Sequence, residues 1–316
     1  MQLTPRLAAL LTLPPLLWAG NAVVGRLMVP LVPPVTLNAL RWVGVLAVLL
    51  VLGRRAIGSA EARRALLARW PYLALVGLLG IGAYNALQYM ALRTSTPLNV
   101  TLIGASMPVF MMVVGALLFG VPPKRAQMVG TLFSIAGVLL VLTRGAPAEV
   151  LHIHFVRGDL LMLGATAAWS CYSWLLVKPP RWTAQPARAV VPGPQGPEPW
   201  NWAEFLLVQL LFGVLWAGAA AGVEQAVAPR DVVWGPTTFA ALAYIVAGPS
   251  IIAYWFWGEG VRQGSPALAS IFNNLTPLFA ALLSALLIHE LPRWYHGAAF
   301  ALIVVGIAIS TWRPRA

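Results

Sequence analysis

Polar side chains recur inside runs of the sequence that are otherwise apolar, and their types suit hydrogen bonding to a small solute better than bond-breaking chemistry. Trp18 and Asn21 lie in the first run, Tyr84, Asn85, Gln88 and Tyr89 in the third, and Asn99 and Thr101 in the fourth. Later runs add Trp169, Tyr172 and Ser173, then Tyr244, Ser250, Tyr254 and Trp255, then Ser270, Asn273, Asn274 and Thr276. Tyr84 with Gln88 and Asn85 with Tyr89 are spaced to share helix faces. Taken singly, each such group reads as an interhelical hydrogen bond worth about 0.6 kcal/mol. Together they describe a hydrated cavity, because polar groups at bilayer depth must face the interior of a bundle.

Arg41 is the basic residue set well inside a run. It lies six residues past Val35, or about 9 Å down a helix at about 1.5 Å per residue. Two readings stand side by side: a side chain that snorkels to the interface, and a guanidinium clamp for a substrate carboxylate. Pro108 and Pro277 sit near the middles of the fourth and ninth runs. Each lacks an N–H and crowds the carbonyl four residues back, at Gly104 and Asn273, so each is a candidate flexible point and cavity wall. The expected substrate-binding set is Trp18, Asn21, Arg41, Tyr84, Asn85, Gln88, Asn99, Trp169, Tyr172, Tyr254, Asn273 and Asn274, with Pro108 and Pro277 as hinges.

Catalytic constellations are missing from this pattern. There is no His-Glu-x-x-His, no Gly-x-Ser-x-Gly and no phosphate-binding loop. His152 and His154 read as a solvated loop pair, so neither a metal nor another cofactor is expected. All nine acidic residues are expected in loops or at helix ends, with Glu259 the best remaining candidate for a proton carrier. The single cysteine, Cys171, lies in an apolar run and excludes an intramolecular disulfide.

The elements that must position these groups are membrane helices. Of 316 residues, 59% are hydrophobic and only 9% charged, with a mean hydropathy of +0.79, whereas soluble domains are about 25% charged. Ten segments alternate with turn signals: 7–28, 35–53, 71–91, 97–119, 126–143, 158–178, 202–223, 237–259, 265–288 and 294–312. The first resembles a signal peptide in composition but continues past Trp18, which has a counterpart in Trp169, so it is read as part of the fold. Residues 92–142 recur without a gap from Val261 at a displacement of 169, which lays Pro97 on Pro266, Pro108 on Pro277, Pro123 on Pro292 and Gly137 on Gly306. A duplicated unit of five helices, 7–143 and 158–312, follows. Because five is odd, the halves are inverted relative to each other.

The formal net charge of +12 would indicate nucleic acid in a soluble protein, but here the basic residues lie between apolar runs. With a cytoplasmic N-terminus, 14 of them fall inside, including Arg54, Arg55, Arg63, Arg64 and Arg69. Six fall outside: Arg26, Arg93, Arg144, Arg157, Arg230 and Arg293. Both termini are therefore expected in the cytoplasm. The second half carries an insertion at 179–200 with seven prolines, expected as an irregular cytoplasmic tether.

Trp18-Ala19-Gly20-Asn21-Ala22-Val23-Val24-Gly25-Arg26 resembles the first-helix pattern of the EamA-type drug/metabolite transporters. Pro34-Val35-Thr36-Leu37-Asn38-Ala39-Leu40-Arg41-Trp42 is similar to their second-helix segment, and the repeated unit to their duplicated core. The resemblance covers about 7–143 and 158–312. It departs at Val121, where the family pattern has an acidic residue after the fourth helix, although His289-Glu290 keeps it in the second copy. The first-helix glutamate of the small multidrug relatives is also absent. The resemblance implies ten helices in two inverted halves, a central cavity, and export or exchange of amino acids, small metabolites or drugs across the bacterial inner membrane. The expected partners are a small-molecule substrate and the lipid bilayer, with no nucleic acid, and the chain is expected as a monomer or homodimer. An intramembrane enzyme, which would alter its solute, and a passive channel, which would show no counterflow, are the alternatives.

Overall fold

The computed structural model describes residues 4–123, 125–146, 156–177, 179–180, 190–193, 196–263, 272–273 and 275–311. Helices begin where the sequence punctuates the chain. The Thr4 hydroxyl accepts from the Leu7 amide to cap α1 (Pro5–Met28), and Pro5 takes a first-turn position whose N–H would have no intrahelical partner. Pro34 opens α2 (Pro34–Leu52) in the same way. The free amides of Val35 and Thr36 there donate to the Glu224 carboxylate at 3.1 and 2.7 Å.

A short amphipathic helix, α3 (Ala60–Leu67), lies on the arginine-rich connection. The third apolar run is interrupted: α4 (Trp70–Gly77) passes through a π-helical turn at Leu78–Ala83 into α5 (Tyr84–Ala91). The fourth is broken as its proline predicts. The axis bends by 48° between α6 (Pro97–Ala105) and α7 (Met107–Phe119). Then come α8 (Arg125–Leu142) and α9 (Arg157–Val177). The insertion expected to be irregular holds a hairpin, β1 (Val190–Gly193) paired antiparallel with β2 (Gly196–Pro199). The prolines predict no ladder here, yet Val190 pairs with Pro199 and Gly193 with Gly196.

The capping box of Asn201 and Glu204 starts α10 (Trp202–Val227). A second π turn, Val246–Ile252, separates α11 (Pro236–Ile245) from α12 (Ala253–Gln263). The last two helices are α13 (Leu275–Leu287) and α14 (Trp294–Thr311). Among the described residues, five helical stretches are long and apolar enough to cross a membrane, or six if the bent α6–α7 pair counts as one. Of the run expected at 265–288, the structure describes 272–273 and α13.

Packing follows small residues. A Cβ on Gly77 would lie 2.9 Å from the Gln209 carbonyl oxygen, and one on Gly213 would lie 2.5 Å from Ile81 Cγ2. Only glycine lets the two backbones approach this closely. Elsewhere α2 packs on α10, α5 on α9, α8 on α14, and α1 against α12 and α13. Charge sorts to the two ends. At one, Arg55 meets Glu204 at 3.4 Å; at the other, Arg26 stands 4.0 Å from Glu290 and Arg230 donates to the Val29 carbonyl at 2.8 Å.

Two of the acidic residues expected in loops or at helix ends are buried. Asp159 and Glu204 do sit at helix ends, yet they are only 5% and 1% exposed. Glu204 is sealed by its capping box and Arg55, and Asp159, in the first turn of α9, accepts the Ser95 hydroxyl at 2.7 Å. Local hydrogen bonds to Asp159 and to Glu204 Oε2, and the Arg55 charge beside Glu204 Oε1, replace the hydration that a loop position would have supplied.

Candidate functional site

The two π turns bracket the polar interior. A π turn displaces carbonyls from the α-helical ladder, and such turns frequently mark functional sites. Asn38 Nδ2 takes up two of them, donating to the carbonyls of Ile81 and Gly82 at 3.0 and 3.3 Å. At the other turn, Trp18 Nε1 donates to the Pro249 carbonyl at 3.2 Å, and Ser250 Oγ donates to the Ile245 carbonyl at 2.7 Å. The displacement of 169 that superimposes the two sequence copies carries Leu78–Ala83 onto 247–252, and the second turn spans Val246–Ile252.

Arg41 lies between these turns, 2% exposed, and does not snorkel. Its Nε donates to Ser250 Oγ at 2.7 Å. Its Nη1 meets Asn85 Oδ1 at 2.8 Å, Tyr89 Oη at 3.0 Å and Asn21 Oδ1 at 3.3 Å. Tyr89 Oη in turn donates to Asn21 Oδ1 at 2.7 Å, and Asn21 Nδ2 donates to Gln88 Oε1 at 3.2 Å. The Trp42 ring lies 4.9 Å from the guanidinium carbon. Every acceptor in this set is neutral. Among the described residues only amides and hydroxyls hold this buried guanidinium, which is thus solvated but not neutralised by them and retains a strong attraction for an anion.

Aromatic side chains flank the cation. Trp18 packs edge-on to Tyr254 at 6.3 Å and against Trp257 at 5.4 Å. Trp169 lies 4.7 Å from Tyr84 and 5.0 Å from Tyr172, whose hydroxyl donates to Gln209 Oε1 at 2.9 Å. Trp18 reaches the Pro249 carbonyl beside Ser250, and Tyr84 precedes Asn85, which ties both aromatic groups to the Arg41 network. Nine of the expected residues therefore belong to one connected region: Trp18, Asn21, Arg41, Tyr84, Asn85, Gln88, Trp169, Tyr172 and Tyr254.

The remaining positions separate from it. Asn99 Oδ1 instead meets His296 Nε2 at 3.0 Å, in the wall of a cavity of about 420 Å³ at the end where Arg26 and Glu290 lie. The Asn273 carbonyl accepts from Thr276 Oγ1 at 2.8 Å. Asn274 lies outside the described residues. Pro108 occupies the first turn of α7 at the bend, and Pro277 is buried in the first turn of α13. Among the described residues, no three His, Cys, Asp or Glu side chains group as metal ligands.

Sequence reasoning left Asn38 and Gln209 out of the site and did not give Tyr89 and Ser250 their roles toward Arg41. The available signal was local: Gly77, Gly80 and Gly82 in one run and Gly248-Pro249 in the other are poor α-helix interiors. Neither cluster specifies that the resulting break is a π turn.

The family model for the EamA-like transporter family matches residues 6–143 and 193–312. The chain is 26% identical to the aromatic amino acid exporter YddG of Ancylobacter novellus, over 90% of each chain. It is 25% identical to the uncharacterized transporter YyaM of Bacillus subtilis, a match spanning 66% of this chain and 63% of that one. A solved structure superimposes with a TM-score of 0.62 at 24% identity, over 96% of both chains, and supports the fold alone.

Proposed function

The chain belongs to the EamA-like transporter family, and from that premise we propose that it exports or exchanges amino acids or related small metabolites, aromatic ones foremost, by alternating access across the bacterial inner membrane. In this reading ten spans form two inverted halves with both termini in the cytoplasm. The halves rock about the Arg41 region, and the bend at Pro108, a hinge at Pro277 and the two π turns supply compliance.

The observation that carries the reading is the Arg41 guanidinium, without a carboxylate partner among the described residues, between two aromatic groups. Its geometry suits a solute bearing a carboxylate on an aromatic body, with Trp18, Tyr84, Trp169, Tyr172 and Tyr254 stacking on the ring and Asn21, Asn85 and Gln88 replacing hydration. The similarity to an aromatic amino acid exporter supports the same substrate class. The Asn99 position belongs to an end of the pathway rather than to its centre.

Counterflow in proteoliposomes is the test. Preloaded L-phenylalanine should accelerate uptake of the labelled solute and return it unchanged. Arg41→Gln should lower that exchange about tenfold or more while affecting a cationic amine far less. Equal losses for carboxylate and cation would assign Arg41 to packing, and a chemically altered product would reject transport.

A further inference from the structure

The cavity of about 420 Å³ remote from Arg41 has a charge pattern of its own. It lies between the start of α6, the turn after α8, and the connection from α13 into α14. Arg144 and Arg293 line it, both exposed, with Arg144 held at φ 53°. Glu290 lines it as well, and its charge is poorly compensated. Oε2 is buried with no hydrogen-bond partner among the described residues, and Oε1 meets Arg26 only at 4.0 Å.

The wall between these charges is ordered by His296. Its Nδ1 accepts from the Arg293 amide at 2.9 Å, so the ring proton sits on Nε2 and is donated to Asn99 Oδ1 at 3.0 Å. Asn99 Oδ1 is thereby occupied, and the Asn99 amide N–H groups remain as donors. Two guanidinium groups and an amide donor thus share one concave surface with a carboxylate that lacks a full partner. Both signs of charge are available to a single ligand.

We infer that this vestibule is a second binding site, which takes a zwitterionic α-amino acid with its carboxylate toward Arg144, Arg293 and Asn99 and its ammonium toward Glu290. The volume suits a solute as large as an aromatic amino acid. The inference rests on the transport reading for its substrate class and on the proposed topology for its sidedness: the vestibule faces outward, where exported solute is released.

The test uses the purified full chain and three probes of one shape: L-phenylalanine, 3-phenylpropionate without the ammonium, and 2-phenylethylamine without the carboxylate. Binding is measured in the Arg41→Gln background, which removes the central contribution. L-Phenylalanine should still bind, and adding Glu290→Gln should weaken it about tenfold or more while leaving 3-phenylpropionate unchanged. Adding Arg144→Gln with Arg293→Gln should weaken L-phenylalanine and leave 2-phenylethylamine unchanged. Such charge-matched losses do not arise from misfolding. Loss of all L-phenylalanine binding with Arg41→Gln alone overturns the vestibule site and leaves transport standing, as do equal effects of Glu290→Gln on all three probes.

Discussion

At the scale of single residues, the interior is organised by a cation whose negative partner is not supplied by the described residues. Arg41 is the kind of group a sequence displays openly, since a charge in an apolar run is rare enough to require a reason. Its surroundings were less legible. Helical spacing placed Asn85 and Tyr89 on one face, but that this face meets Asn21 and Ser250 depends on how four segments pack. The arrangement yields a sharp expectation for Asn85→Asp. A carboxylate in place of the Asn85 amide oxygen, 2.8 Å from Arg41 Nη1, would pair with the guanidinium and occupy its anion-binding capacity. Apparent Tm should hold or rise while L-phenylalanine counterflow drops about tenfold or more. Exchange at the unsubstituted rate would mean that Arg41 does not receive the substrate carboxylate.

At the scale of elements, the breaks matter more than the helices. The break in the fourth run was readable because proline removes a donor by covalent structure. The two π turns were not, because a glycine cluster lowers helix propensity without specifying which irregular ladder replaces it. What holds them is tertiary: Asn38 donates to Ile81 and Gly82, and Arg41, through Ser250, ties the second turn to α2. Asn38→Leu should therefore leave two carbonyls without that donor and lower stability by about 1–3 kcal/mol, seen as a reduced apparent Tm in detergent. The close approach of α4 and α10 gives a paired expectation. Gly213→Leu places its side chain where Ile81 already stands and should be destabilised by about 1–3 kcal/mol or more. Gly218→Leu, on the same helix with nothing within 4 Å of the added Cβ, should be near neutral. Similar melting of both variants would remove the helix contact as the reason for glycine at 213.

At the scale of the whole molecule, composition announces a membrane protein, and the repeated prolines give the expectation of duplication. The inverted arrangement is a deduction from an odd helix count and the distribution of arginines, and it carries the sidedness of both sites. The end bearing Arg54, Arg55, Arg64 and Glu204 should face the cytoplasm, and the end bearing Glu290 and the vestibule should face out. The single cysteine makes this easy to examine. In a Cys171→Ser background, Arg64→Cys on the exposed face of α3 and Asp231→Cys on the exposed connection after α10 report one end each. A membrane-impermeant maleimide added to intact cells should label Asp231→Cys and spare Arg64→Cys until the membrane is opened. The reverse pattern would turn the molecule over and make the vestibule the cytoplasmic side, where solute enters for export, so that the same two sites are used in the opposite order. Labelling of both from outside would break the five-span half. An even number of crossings between residues 64 and 231 cannot be reconciled with halves that run in opposite directions.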